Sequence, residues 1–183
     1  LSPSLTAPRG NRLREGTAWE FGIRPLTTFV GTVRSWSASA AAGADWSLGR
    51  VPTMDDFVEI DLPGDPLVIA GAGAAAYDLM VRSPLRLSGG TLSLGRRAVF
   101  EGPVTWAGQD TLLGGESRIL DSLHIGGPQN NSFLSDHLLH NFGTVTLEKQ
   151  SGLTGLLLQN PRRRPVGILN HPGATWRHLG RSE

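Results

Sequence analysis

Apolar residues recur along this chain in bursts of about three to five, separated by small or polar residues at spacings of roughly ten. Phe57-Val58-Glu59-Ile60-Asp61-Leu62 alternates apolar and acidic side chains, the period-two signature of a half-buried strand. Pro63-Gly64-Asp65-Pro66 then makes a turn, with φ fixed by proline and freed by glycine. Short strands are predicted at Leu67-Val68-Ile69, Leu79-Met80-Val81, Leu85-Arg86-Leu87 and Thr91-Leu92-Ser93-Leu94. The series continues through Val99-Phe100, Val104-Thr105-Trp106, Leu112-Leu113, Arg118-Ile119-Leu120 and Leu123-His124-Ile125. It closes with Thr144-Val145-Thr146-Leu147, Leu156-Leu157-Leu158 and Gly167-Ile168-Leu169. Glycine and proline punctuate it throughout, as at Gly89-Gly90, Gly102-Pro103 and Gly114-Gly115.

Many of these segments are shorter than the five to six residues typical of a free-standing sheet. Stacked coils tolerate shorter strands, because each is paired above and below. The hairpin dipeptides Asn-Gly and Asp-Gly are absent. Asparagine recurs at strand edges, at Asn141, Asn160 and Asn170, where a bend can align such side chains into a ladder. These features predict an all-β fold, a right-handed parallel β-helix (β-solenoid) of short Gly/Pro-punctuated strands, with a coil of about 20 residues. Its core ladder is expected to contain Leu79, Leu85, Leu87, Leu92, Leu94, Val104, Leu112, Leu120, Ile125, Val145, Leu147, Leu158 and Ile168. Ser132–Asn141 reads equally as a helix, with Leu134 and Leu138 one turn apart, or as part of the solenoid. Four regions result: an extended N-terminal arm at 1–26, a cap or first-strand region at 27–45, the solenoid at 46–176 and a C-terminal tail at 177–183.

Composition narrows the class. The chain of 183 residues is 39% apolar and only 18% charged, too apolar for a disordered chain and too lightly charged for a coiled coil. The 24 glycines and 12 prolines disfavour long helices, where an internal glycine costs about 1 kcal/mol relative to alanine. A net charge of +1 provides no global field toward nucleic acid or anionic lipid. The absence of cysteine excludes disulfides, thiolate catalysis and cysteine-based zinc sites. No run of about 18 apolar residues, the length of a membrane span, occurs. The start at Leu1-Ser2-Pro3, without Met or a signal pattern, reads as a processed chain or an excised part of a longer one.

The passage from Trp46 to Ile60, WSLGRVPTMDDFVEI, resembles the W-S-x-G-x-V-P-x-x-x-D-D-x-V-x-I opening of repeat regions in bacterial autotransporter-like and haemagglutinin-like surface proteins. Leu79–Leu94, LMVRSPLRLSGGTLSL, is similar to the stretch that follows it there, and Asn141-Phe142-Gly143-Thr144-Val145 to a later step. The same opening looks more weakly like the G8 module of extracellular proteins. The resemblance spans roughly 46–176 and implies a parallel β-helix outside the cell. The first 45 residues match neither pattern, and the repeats after Gly127 are irregular.

Asp55, Asp56, Glu59 and Asp61 supply the carboxylates a calcium ion takes, but no D-x-D-x-D-G loop holds them, and turn capping or solvation accounts for them better. His137 and His140, three apart, would share a metal on a helix; the five histidines carry no H-E-x-x-H, and ordinary loop histidines are the simpler reading. No G-x-S-x-G nucleophile elbow or G-x-G-x-x-G phosphate cradle is present. Glu101, Asp110, Glu116 and Asp121, with Arg96 and Arg118, are the best set for a carbohydrate-cleaving groove, against solvated surface charges as the plainer account. Trp36, Trp46, Trp106 and Trp176 offer indole faces for sugar rings, with core or cap positions favoured for Trp46 and Trp106. Arg162-Arg163-Arg164 is a basic turn suited to a solvated loop, an acidic glycan or a partner. The binding candidates are therefore Trp36, Trp46, Trp106, Arg162, Arg163 and Arg164, with no catalytic residue, no metal and no cofactor assigned. The expected function is a non-catalytic structural, adhesion or assembly component, extracellular or at the cell surface, with protein neighbours (including copies of itself) or glycans as partners. A polysaccharide-binding or polysaccharide-cleaving β-helix of lyase or phage-tail type is the alternative.

Overall fold

The computed structural model describes residues 24–32, 34–36, 40–108, 111–126, 131–148 and 155–179. Fifteen strands follow in chain order: β1 (Leu26–Thr28), β2 (Ser35–Trp36), β3 (Phe57–Ile60), β4 (Leu67–Val81), β5 (Leu85–Phe100), β6 (Val104–Trp106), β7 (Thr111–Leu113) and β8 (Glu116–Ile119). They continue with β9 (Ser122–Ile125), β10 (Asn131–Ser135), β11 (Leu138–Asn141), β12 (Thr144–Glu148), β13 (Gly155–Gln159), β14 (Gly167–Asn170) and β15 (Thr175–Leu179). All strand pairs among the described residues are parallel, and they form one stacked-coil β-solenoid.

Three faces repeat in each coil. The first stacks β2, the starts of β4 and β5, β6, β9, β12 and β15. The second stacks the middles of β4 and β5 with β7, β10 and β13. The third stacks β1, β3, the ends of β4 and β5, β8, β11 and β14. Leu85 pairs with Val104 and Val104 with Leu123, so these coils close after 19 residues. The last lengthens to 31 residues between Val145 and Trp176, because longer turns interrupt it.

Corners depend on residues without a β-carbon. In β4 and β5 the register slips between Ile69 and Ala74, where Gly73 holds a φ of 79°; L side chains avoid that region. The turns from third to first face stack directly on one another. A Cβ at Gly143 would run into the carbonyl oxygen of Asp121, so only glycine lets that turn lie on the one beneath it.

Alternation in each strand sends every second side chain inward. One inward column runs Trp36, Ile69, Leu87, Trp106, Ile125 and Leu147 through successive coils. Full burial of such a side chain is worth about 1.5–3 kcal/mol, so stability accumulates coil by coil. The N-terminal end is closed. A short 3₁₀ turn (Ala40–Asp45) precedes Trp46, whose ring meets Phe29 edge-on at 5.1 Å and Trp36 at 4.9 Å.

Several expectations need correction. Trp36, Trp46 and Trp106, named as binding candidates, lie 0–2% exposed in the core, the position favoured for Trp46 and Trp106, and their indole faces offer no platform to a sugar. Leu120 is exposed, and its neighbour Ile119 takes the core position; a shift of one residue changes the face a strand residue points to. Leu158 is also exposed, at the end of the stack. Ser132–Asn141 is not helical: it forms β10 and β11 on two different faces. Parallel pairing starts at Leu26 and runs to Leu179, beyond the 46–176 span at both ends; the remainder of the arm, 1–23, lies outside the described residues. The asparagine ladder exists as one rung, with Asn141 Nδ2 donating to Asn170 Oδ1 at 2.8 Å and to the Thr175 carbonyl at 3.0 Å. Asn160 is exposed and stands apart from that rung.

Candidate functional site

The third face carries the densest set of ionisable side chains. Register places Phe57, Asp78, Arg97, Glu116 and Leu138 in one outward row, and Glu59, Met80, Val99, Arg118, His140 and Leu169 in the next. Arg82, Glu101, Leu120, Phe142 and His171 follow at the corner, where each backbone N–H bonds the coil beneath. At the N-terminal part of this face a shallow groove of about 450 Å³ is lined by Leu26, Phe57, Glu59, Asp78, Met80, Arg82, Arg96, Arg97 and Val99. Its floor is mainly apolar and its edges are ionic.

These charges are engaged with one another. Arg82 pairs with Glu59 and, through Nε, with Glu101 at 3.3 Å. Arg96 holds Asp78 through two guanidinium nitrogens; Asp78 raises the Arg96 pKa further above its ordinary value by hydrogen bonding. Tyr77 lies beneath two cations, with Arg24 3.6 Å and Arg96 5.6 Å from its ring centre, a cation–π arrangement. Higher on the face, His140 Nε2 is 3.6 Å from Glu116, and His140 Nδ1 is 3.0 Å from His171 Nε2. Phe142 stacks on His171 with ring centres 3.9 Å apart.

The proposed carbohydrate-cleaving set is thus gathered rather than scattered. Glu116 and Arg118 are on the third face, and Arg96, Glu101 and Asp121 stand at its two borders; Asp110 lies outside the described residues. Glu101 and Glu116 have cationic or histidine partners. Asp78 and Arg82, which line the groove, and Tyr77, which lies against Arg24 and Arg96, were not among the candidates. The signal was there: Asp78 and Arg96 are 18 residues apart and Glu59 and Arg82 are 23 apart, close to one coil.

The calcium candidates do not converge. Asp56, fully buried, accepts from the two terminal guanidinium nitrogens of Arg50 at 2.6 Å and from Thr53 N and Oγ1 at 2.7 and 2.9 Å. Asp55 turns outward to Arg24 and Glu59 to Arg82. Asp56 ties the turn before β3. The Arg50 hydrogen bond holds its carboxyl below the usual range, against the opposing effect of burial. Asp56→Ala would leave the Thr53 donors unmet while half-exposed Arg50 returns to water. The expected cost is about 2 kcal/mol, read as a lower urea midpoint with unchanged slope.

His137 and His140 do not share a metal. His137 is buried at the β10–β11 turn and His140 faces outward from β11. Among the described residues no three His, Cys, Asp or Glu side chains form a metal-holding group. Arg162, Arg163 and Arg164 are exposed between β13 and β14, with the Arg162 backbone N–H donating to Asp136. No helix among the described residues is long and apolar enough to cross a membrane.

No family model, curated protein or solved structure matches the chain. The parallel β-solenoid is established by its own strand register.

Proposed function

We propose that this chain is a non-catalytic structural segment of an extracellular or cell-surface protein, serving adhesion or assembly. The observation that carries this reading is the state of the acids on the third face. Glu59 and Glu101 share Arg82, Asp78 is clamped by Arg96, and Glu116 lies against His140. A glycosidase needs one carboxylic acid free to donate a proton and a second carboxylate free to attack or to activate water. Carboxylates engaged in this way instead tie adjacent coils to one another. The resemblance of Trp46–Ile60 and Leu79–Leu94 to autotransporter-like and haemagglutinin-like repeats supports the surface location.

Gathering of Glu116, Arg118, Glu101 and Arg96 along one face favours a polysaccharide groove as the second reading. Incubation of the purified chain with neutral and acidic polysaccharides separates the two, with retention and new sugar ends both scored. The expected result is no new ends. New ends that disappear in Glu116→Gln would overturn the structural reading and make the third face catalytic.

A further inference from the structure

The third face continues past the groove. Met80, Val99, Arg118 and His140 stand in one outward row on successive coils, about 14 Å long at the usual strand spacing. Met80 and Val99 belong to the groove, and Arg118 and His140 extend its line. Beside them Leu120 and Phe142 occupy the corner row on consecutive coils, 44% and 40% exposed. All these side chains point off the sheet, perpendicular to the direction in which coils stack.

Two properties set what this track can hold. Its aromatic edge is fixed in advance. One face of the Phe142 ring is covered by His171, with 3.9 Å between ring centres and 10° between planes. His171 is hydrogen-bonded to His140, and His140 lies against Glu116. The exposed part of the ring, with Leu120, thus adds apolar surface that needs no ordering when a ligand arrives. The second property is the state of the cations. Arg82 serves Glu59 and Glu101, and Arg96 holds Asp78. Arg97 reaches only that same Asp78, at 3.9 Å. Arg118 is exposed and has no ion-pair partner among the described residues. Register puts Arg97 beside Glu116 and Arg118 beside Val99, so the two guanidinium groups arise diagonally from adjacent coils.

We infer that the third face binds a linear acidic polysaccharide, with uronate carboxylates on Arg97 and Arg118 and a sugar ring against Phe142 and Leu120. A guanidinium fork takes a carboxylate through two parallel hydrogen bonds. A sugar ring has apolar C–H faces and polar edges, which suits an aromatic ring bordered by charged side chains. A shallow track open along the stack fits a polymer lying across several coils, where a small molecule would need enclosure. The inference rests on the adhesion role proposed above and names its ligand class. The paired acids remain ties between coils and take no part in chemistry.

Isothermal titration with an oligogalacturonate and with its neutral methyl ester tests this. Expected are saturable binding of the acid form and about tenfold weaker binding of the ester, the loss that follows removal of a charge-assisted hydrogen bond. Arg118→Gln should weaken binding of the acid form about tenfold for the same reason. Phe142→Ala should weaken it about fivefold through lost ring contact. Both positions are exposed, so the circular dichroism spectrum should be unchanged. Arg86→Gln, at an exposed arginine of the first face, should leave the affinity as it is. No binding, equal binding of acid and ester, or equal effects of Arg118→Gln and Arg86→Gln would overturn the inference, the last by reducing binding to non-specific charge. Release of new sugar ends is scored separately. It bears on the non-catalytic reading and leaves the place of binding unchanged, so the two failures are distinguishable.

Discussion

Trp106→Ala is expected to lower the unfolding free energy by about 3–5 kcal/mol, the range for deleting a large buried aromatic side chain. The ring sits 1% exposed between Leu87 below and Ile125 above. In a stack each coil is stabilised mainly by its two neighbours, so a cavity in a central coil weakens both interfaces at once. The indole N–H is buried without a partner, which means that the residue contributes volume and apolar area without a hydrogen bond. Trp106→Phe should therefore cost about 1–1.5 kcal/mol, as a near-conservative apolar change does. Urea unfolding of the three proteins, followed by circular dichroism, checks the ranking. A Trp106→Ala loss below 1 kcal/mol would show that the neighbouring coils collapse into the space.

The same column explains what could be read without coordinates. Strand positions, the coil of about 20 residues and the all-β class were legible because inward alternation and glycine punctuation are local properties. Choices of face were less so. Ile119 and Leu120 are equally apolar, and only the register with Phe100 puts Ile119 inside. Ser132–Asn141 satisfies a helical spacing through Leu134 and Leu138, yet the pairing of β10 with β7 and of β11 with β8 overrides it. The candidate groove was half legible. Glu101 and Glu116, beside it on the same face, stood out individually, but its own pairs Asp78–Arg96 and Glu59–Arg82 form only once the chain has gone round one coil. Trp46 and Trp106 take the core or cap positions favoured for them, and Trp36, offered only as a binding candidate, joins them in the core. A residue with a flat apolar face suits a sugar and a solenoid core alike, and composition contains nothing that separates the two.

Lowering the pH from about 7 to about 4 is expected to destabilise the fold by about 3 kcal/mol through one residue, His137. The imidazole is fully buried, and its Nδ1 lies 2.6 Å from the Gly114 carbonyl oxygen. A carbonyl only accepts, so Nδ1 carries the proton of the neutral ring. Nε2 is buried with no partner, and protonating it would place a new N–H and a charge where nothing receives them. Burial lowers the pKa to about 4; the Gly114 hydrogen bond and Glu116 oppose this, and His140 reinforces it. In the unfolded chain the ring takes its proton near 6.5. Between those values the unfolded state binds more protons than the folded one, so stability is full above about 6.5, falls with falling pH and levels off below about 4. The gap corresponds to about 3 kcal/mol. Asp56, held below its ordinary value of 3.8, acts in the same direction but at lower pH, outside this window. Urea midpoints at pH 7.5, 5.5 and 4.5 should fall steadily in the native chain. His137→Gln keeps an amide donor for the Gly114 carbonyl and titrates nowhere in this range, so its midpoints should be nearly flat. Equal slopes for the two proteins would remove His137 from the account.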